Sequence, residues 1–175
     1  NTDVELLRLV ADRFSKIGTQ PELKVVNLYD NLQRHLHYIE QRASRKITFD
    51  FPDVTETRPI WGNINPLLFD WVVENLLKNA LDAMGGKGRI TATLEELDHY
   101  VYLRISDTGK GIPKNKFKTV FQPGYSTKQR GWGLGLSLCK RIVQNYHSGK
   151  IFVDKSTEGE GTTFCIQLPS VQETD

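Results

Sequence analysis

The feature that most constrains the fold is the stretch NPLLFDWVVENLLKNALDAM, residues 65–84. Its apolar residues recur with a period close to 3.6, which predicts one long amphipathic helix. Asn65 and Pro66 are typical of a helix start, and the GGKG that follows Met84 is typical of a helix end. Such a helix must bury its apolar face against other elements, so the rest of the chain has to supply a matching layer.

Two asparagines, Asn75 and Asn79, lie within this predicted helix. Each costs the helix roughly 0.5 kcal/mol relative to Ala, and their spacing of four places both amides on one face. They are either satisfied amides at the rim of the core or polar ligands. An amide oxygen can bind Mg²⁺, and the neighbouring Lys78 can reach a phosphate as a point charge.

The flanking segments predict a mixed fold. Helical periodicity marks residues 3–17, 27–44 and 133–147, and alternating patterns predict strands at 46–51, 58–62, 89–97, 100–107, 149–154 and 161–168. This order predicts an α+β fold, an α/β sandwich with helices packed on one face of a mixed, mostly antiparallel sheet.

Three glycine-rich turns carry the remaining signals: DTGKGIP from Asp107, GWGLG from Gly131 and GEGT from Gly159. Each alone is also typical of an ordinary surface turn. The first places a carboxylate beside backbone that a ligand can approach closely. The second runs into a helix, whose N-terminus suits a phosphate, although its spacing fits neither a Walker nor a Rossmann loop.

Taken in this order, the motifs resemble those of the ATP-binding domain of sensor histidine kinases, in the wider family shared with gyrase, Hsp90 and MutL. NLLKNALDA resembles the N box, DTGKGIP the G1 box, VFQPGYSTK the F box, GWGLGLSLCKRIV the G2 box and GEGTTF the last glycine–threonine element. The resemblance covers roughly residues 45–169. It implies a Bergerat-type ATP-binding fold over residues 23–175, preceded in residues 1–22 by the end of a dimerisation-domain helix and its linker.

The resemblance also implies roles for single residues. Asn79 would hold Mg²⁺ through its amide oxygen, and Asn75 and Lys78 would lie by the phosphates and the attacking group. Asp107 would accept a hydrogen bond from the adenine amino group. Gly109 and Gly111 would lie beside the base, and Thr162 would support Asp107 through its hydroxyl and a water. The residues around the phosphates would be Gly131, Gly133, Leu134, Gly135 and Leu136. Lys128 or Arg130 would contact phosphate from a mobile lid over 113–131.

The type of reaction depends on position 75. ATP-hydrolysing members of the family have a Glu general base four residues before the Mg²⁺-binding Asn, where this chain has Asn75. Glu74 is adjacent but about 100° around the helix, and an amide cannot accept a proton from water. The resemblance therefore implies a protein-histidine kinase of two-component signal transduction that uses Mg·ATP. A bare ATPase and a regulatory module that binds nucleotide without transferring phosphate remain the alternatives.

The four histidines, His35, His37, His99 and His147, are not in a recognisable acceptor context, so we expect them to be structural or solvated. The chain begins without Met, and we expect the acceptor histidine upstream of Asn1 in a longer phosphoprotein. The partners implied are ATP, the dimerisation and histidine-phosphotransfer helices, a receiver domain of a response regulator, and a second copy in a homodimer.

Composition excludes some other functions. A net charge of +2 without a basic stripe argues against nucleic acid. Cys139 and Cys165 form no CxxC or Cys/His cluster, so we expect reduced core residues and a cytoplasmic location. No apolar run reaches 18 residues, although the longer protein could still carry a membrane anchor.

Overall fold

The computed structural model describes residues 22–53, 55, 57–125 and 135–171. Its strands are β1 (Lys24–Asn27), β2 (Ile47–Asp50), β3 (Trp61–Ile64), β4 (Gly88–Leu97), β5 (Tyr100–Asp107), β6 (Lys150–Thr157) and β7 (Gly161–Pro169). Its helices are α1 (Leu28–Glu40), α2 (Pro66–Met84) and α3 (Gly135–Arg141), the last continuing as a π-helical turn (Ile142–Tyr146). Two 3₁₀ turns, Lys114–Lys116 and Thr119–Phe121, follow β5.

The main sheet has the strand order β2-β4-β5-β7-β6. β2 runs parallel to β4 and the other neighbours are antiparallel, which confirms the predicted mixed, mostly antiparallel sheet. β4 and β5 form a hairpin whose turn residues, Asp98 and His99, both have positive φ. This conformation matches the turns whose twist suits two-residue hairpins.

One face of the sheet carries the core. Alternate residues of β4 and β5 are buried against the helices, as predicted: Ile90, Ala92 and Leu94, and Val101, Leu103 and Ile105. On the other face, Arg104 contacts Glu95 at 3.0 Å and Asp154 at 3.2 Å. Cys165 pairs with Arg104 in the β5–β7 register and is fully buried. Both Cys139 and Cys165 are buried free thiols, as predicted.

The long helix α2 begins and ends where the sequence predicts. Asn65 Oδ1 accepts a hydrogen bond from the Leu68 N–H at 3.1 Å, and Pro66 is the first helical residue. Gly85 ends the helix in the left-handed conformation, with φ 64°. Caps of this kind satisfy backbone groups that a helix leaves unpaired at its ends.

A polar contact fixes α1 against α2. The buried His35 places Nε2 2.9 Å from Asp70 Oδ1 and Nδ1 3.6 Å from Glu74 Oε1. Asn31 Nδ2 donates to the same Asp70 oxygen at 2.9 Å. Burial acts to raise the pKa of Asp70, but the hydrogen bonds from His35 and Asn31 outweigh it and hold that pKa below its ordinary value. These contacts support the structural role that was one of the two expected for His35.

Two details of the predicted strands are wrong. β1 was not predicted, and it pairs antiparallel with β3 in a separate two-stranded sheet. The strand predicted over 58–62 instead runs from Trp61 to Ile64. Each of these strands has four residues, too few for an alternating pattern to stand out.

Candidate nucleotide site

The two amides singled out in α2 lie together in the structure. Asn75 and Asn79 are both half-buried, and Asn79 Nδ2 lies 3.5 Å from Asn75 Oδ1. This distance is at the limit of a hydrogen bond, so the pair stabilises the helix little. Lys78, between them in sequence, is exposed.

The start of α3 packs directly on Asn75. A Cβ added to Gly135, the first residue of α3, would lie 2.7 Å from Asn75 Oδ1, closer than real contacts allow. Leu136, next along α3, is half-buried. The fold therefore brings together two predicted motifs about 60 residues apart in sequence, and glycine at position 135 permits their close approach.

Glu74 does not share the position of the two amides. Its Oε1 faces His35 Nδ1 on α1 at 3.6 Å, on the side of α2 that packs against α1. Successive residues of an α-helix point about 100° apart, which accounts for this separation from Asn75. The side chain one turn before Asn79 is accordingly an amide, as the sequence indicates.

Asp107, at the end of β5, has a buried carboxyl group held by backbone. Its Oδ1 accepts a hydrogen bond from the Gly109 N–H at 2.8 Å, and the Thr162 N–H donates to the same carboxyl group. Burial raises the pKa of Asp107 above its ordinary value, although these two hydrogen bonds act in the opposite direction. The result is a fixed hydrogen-bond acceptor at the end of a central strand.

The glycines after Asp107 have packing reasons of their own. A Cβ on Gly109 would lie 2.5 Å from the Ala83 carbonyl oxygen of α2. A Cβ on Gly111, which has φ +73°, would meet the Thr157 carbonyl oxygen. The segment is thus clamped between the end of α2 and the β6–β7 hairpin. These contacts explain both glycines within the protein, and a role beside a base stays a prediction.

Thr162 contacts Asp107 through its backbone, and the expected contact through its hydroxyl and a water stays a prediction. The structure connects them through the Thr162 backbone N–H, whereas the Thr162 hydroxyl lies 2.7 Å from the Ser156 hydroxyl. A Cβ on Gly161 would meet the Asp107 carbonyl oxygen, so the two backbones are in contact there. Ser156 was not recognised in the sequence, because a lone serine in a strand has no pattern that distinguishes it.

The predicted lid over 113–131 is wrong in its first part. Val120 and Phe121 are buried, and the Phe121 ring meets Phe164 edge-on with centroids 6.1 Å apart. These two apolar residues anchor the segment to the core as far as residue 121. The other predicted phosphate contacts, Lys128, Arg130, Gly131, Gly133 and Leu134, lie outside the described residues.

Neither a clustered metal site nor a membrane span is found among the described residues. Among these residues, no group of three His, Cys, Asp or Glu side chains is arranged to hold a metal ion. Within the same ranges, no helix is long and apolar enough to cross a membrane.

The sequence matches the family of histidine kinase-, DNA gyrase B-, and HSP90-like ATPases over residues 65–172. The chain belongs to this family. Sensor histidine kinase ZraS of Escherichia coli strain K12 is 36% identical over 166 residues, which cover 94% of this chain and 34% of ZraS. Sporulation kinase E of Bacillus subtilis strain 168 is 39% identical over 117 residues, which cover 66% of this chain and 15% of that kinase.

Solved structures agree on the fold. The nucleotide-free catalytic domain of histidine kinase ThkA superposes with a TM-score of 0.75 at 28% identity, covering 85% of this chain and 96% of that domain. Mycobacterial sensor histidine kinase MprB gives a TM-score of 0.73 at 26% identity, covering 85% and 97%. The chain is an ATP-binding catalytic domain of the sensor histidine kinase type, and it spans about a third or less of the two kinases compared by sequence.

Proposed function

We propose that this domain binds Mg·ATP and transfers the γ-phosphoryl group to a histidine on helices upstream of Asn1 in a longer protein. The side chains at positions 74 and 75 are the observation that favours phosphoryl transfer to a histidine over hydrolysis of ATP. Position 75 is an amide packed on Gly135, and the adjacent carboxylate, Glu74, faces His35. Neither group is arranged to take a proton from water, whereas a neutral histidine can attack phosphorus without such a base.

The residues present fit a bound Mg²⁺. Asn79 offers one amide oxygen, and Mg²⁺ commonly keeps waters and substrate phosphates as its remaining ligands. A site of this kind needs no cluster of three acidic side chains. When bound, Mg²⁺ would neutralise charge that develops on the phosphates.

The protein residues then act by binding and positioning. Asp107 accepts a hydrogen bond from the adenine amino group, which sets the base in the site. Asn75 and the start of α3 hold the phosphate end, and Lys78 adds a positive charge on the same helix. Phosphoryl transfer through a loose transition state depends mainly on such positioning and on electrostatic stabilisation.

Other parts of the function are proposed for the longer protein. Histidine kinase ThkA has been crystallised in complex with response regulator protein TrrA. We extend that partner class, a receiver domain, to this chain, and we propose a homodimer formed by the upstream helices. A cytoplasmic location fits the use of ATP and the free thiols of Cys139 and Cys165.

The test combines labelled ATP with this chain, alone and with the upstream helices supplied as a separate polypeptide. We expect acid-labile phosphohistidine on the helices only, and faster labelling when the two parts are tethered, because effective concentration rises. Steady turnover of ATP without the helices would instead indicate an ATPase. Nucleotide binding with no transfer in either arrangement would indicate a regulatory module.

A further inference from the structure

The hydroxyl of Ser156, near the end of β6, has three hydrogen-bond partners in a half-buried position. Its Oγ lies 2.7 Å from the Ile112 backbone nitrogen, 3.0 Å from the Gly161 carbonyl oxygen and 2.7 Å from the Thr162 hydroxyl. No role for this residue follows from the sequence motifs described above. Ser156 lies between two of the predicted binding segments.

The direction of each hydrogen bond follows from the chemistry of the partners. The Ile112 N–H can only donate and the Gly161 carbonyl can only accept, so Ser156 accepts from the first and donates to the second. A hydroxyl has one donor and two acceptor sites. The second acceptor site of Ser156 is therefore filled by the Thr162 O–H, and the hydroxyl is fully satisfied.

The partners of Ser156 belong to two segments that flank the Asp107 carboxyl group. Ile112 closes the segment that begins at Asp107 and leads into the 3₁₀ turns. Gly161 and Thr162 lie on the other side: Gly161 touches the Asp107 backbone, and the Thr162 N–H donates to its carboxyl group. One hydroxyl thus links the segment that follows Asp107 to the residues that hold it.

We propose that Ser156 is a positioning residue for base recognition, which fixes the direction of the Asp107 carboxyl group and the start of the segment after Ile112. This inference rests on the proposed role of Asp107 as the acceptor for the adenine amino group. Removal of the hydroxyl leaves the Ile112 N–H and the Gly161 carbonyl without this partner. Rearrangement of either segment then turns Asp107 away from the geometry that favours adenine, since hydrogen bonds weaken steeply with misalignment.

The test compares base selectivity, measured as the ratio of ATP to GTP affinity by calorimetry with Mg²⁺, in four variants of the whole chain. Ser156→Ala removes the hydroxyl, Ser156→Thr keeps it, and Ser156→Cys replaces it with a weaker group. Ser106→Ala is the matched control, because Ser106 Oγ lies 2.7 Å from another hydroxyl, Thr163 Oγ1, between β5 and β7. Thermal melts check that each variant folds.

For Ser156→Ala we expect the ATP:GTP ratio to fall about tenfold, as for a lost hydrogen bond to a charged group, with GTP affinity nearly constant. Ser156→Thr should keep the wild-type ratio of ATP to GTP affinity. Ser156→Cys should give a ratio between those of the wild type and Ser156→Ala, so the cysteine variant replaces the alanine variant in the test if the latter does not fold. Ser106→Ala should lose some stability and keep the ratio.

Three results would overturn this inference and leave the proposed function in place. An unchanged ratio in folded Ser156→Ala, or in Ser156→Cys if the alanine variant does not fold, shows that the hydroxyl does not position Asp107. An equal loss of ATP and GTP affinity, or an equal fall of the ratio in Ser106→Ala, shows general loosening of the sheet. In all these cases the proposed function stands. A wild-type chain that binds ATP and GTP equally removes both the Asp107 assignment and the role of Ser156.

Discussion

At the scale of single residues, the candidate site is made of polar groups that the fold would do better without. Asp107 is a carboxylate buried at the end of a central strand. Asn75 and Asn79 are poor helix formers inside the longest helix of the described residues. Stability and function are expected to move in opposite directions at such positions, and two substitutions test this.

The first substitution is Asp107→Asn, which keeps the shape of the side chain and one acceptor oxygen for the backbone N–H groups of Gly109 and Thr162. Because burial raises the pKa of Asp107, its ionised form costs stability above that pKa, and a neutral amide removes the cost. We expect a melting temperature at pH 7.5 that is equal to or above wild type. ATP affinity should fall at least about tenfold, because an amide binds the adenine amino group less strongly than a carboxylate.

Calorimetry with ATP and a thermal melt of the same preparation are sufficient. Ionisation of Asp107 should also lower the melting temperature of the wild type as the pH rises through the folded pKa of its carboxyl group. A strongly destabilised Asp107→Asn that still prefers adenine would mean that the carboxylate serves the fold and not the ligand.

The second substitution is Asn79→Ala. It should raise the helix propensity of α2 by about 0.5 kcal/mol, because alanine is the better helix former. It should also weaken ATP binding in Mg²⁺ while leaving the weaker binding in EDTA unchanged. The measurement is a pair of titrations with and without the metal. Loss of stability with an unchanged metal dependence would identify Asn79 as a structural amide.

At the scale of elements, both ends of α2 are tied to other parts of the domain. The C-terminal end accepts a hydrogen bond at the Ala83 carbonyl from the Lys110 N–H at 3.0 Å. At the N-terminal end, the Asn65 N–H donates to Nε2 of the buried His147 at 3.1 Å. His147 Nδ1 lies 3.0 Å from the Ile142 carbonyl oxygen, so the imidazole is neutral with Nδ1 protonated. This side chain connects the π-helical turn after α3 to the start of α2.

The state of His147 predicts how stability depends on pH. Burial lowers the pKa of His147, so the unfolded chain binds its proton more tightly than the folded chain. The contribution to stability is therefore fully present above the unfolded pKa of about 6.5, and it is lost as the pH falls below that value towards the folded pKa. Urea unfolding at pH 7.5, 6.5 and 5.5 should show a decreasing free energy of unfolding.

His147→Phe keeps a ring beside Phe69 and cannot titrate. It should lose about 1 kcal/mol at pH 7.5, because the Asn65 N–H loses its acceptor, and it should show a smaller decrease towards pH 5.5. An identical pH profile in wild type and His147→Phe would assign the acid sensitivity to other groups.

The elements that the sequence predicted well are those with many repeats of one pattern. α2, β4 and β5 each have a long run of apolar residues at one period, and their caps and turns are of standard types. β1 has four residues and a partner more than 30 positions away, so its pairing depends on tertiary contacts that no local pattern reports. Val120 and Phe121 were missed as anchors because two apolar residues define no period.

The predicted site likewise combines residues that a local sequence pattern reveals with contacts that only the folded chain makes. Asn75, Asp107 and the start of α3 were singled out in the sequence because each lies where a regular pattern is interrupted, begins or ends. The hydrogen bonds of Ser156 join three chain segments and leave no trace in the spacing of residues. The reasons for Gly109 and Gly111 are contacts with Ala83 and Thr157, which only the assembled fold brings near.

At the scale of the whole molecule, the boundary predicted near residue 22 is still to be tested. Residues 22–27 join the domain through described contacts. β1 pairs with β3, the Glu22 carbonyl accepts from Asn65 Nδ2 at 3.0 Å, and Asn27 Oδ1 caps α1 by accepting from the Tyr29 N–H at 3.1 Å. These contacts place residues 22–27 within the folded unit, and the start of that unit near residue 23 stays a prediction from the sequence.

Two truncated chains test this boundary. A chain of residues 22–175 should melt within about 2 °C of the full chain and bind ATP equally well. A chain of residues 28–175 loses β1 and the cap of α1, and the cap alone is worth about 1 kcal/mol. Its melting temperature should fall by at least about 3 °C, while ATP affinity at 20 °C should stay close to wild type, because β1 pairs with β3 and neither strand carries a proposed binding residue. If the chain 22–175 melted far below the full chain, residues 1–21 would belong to the same cooperative unit, and the boundary drawn from the sequence would be wrong.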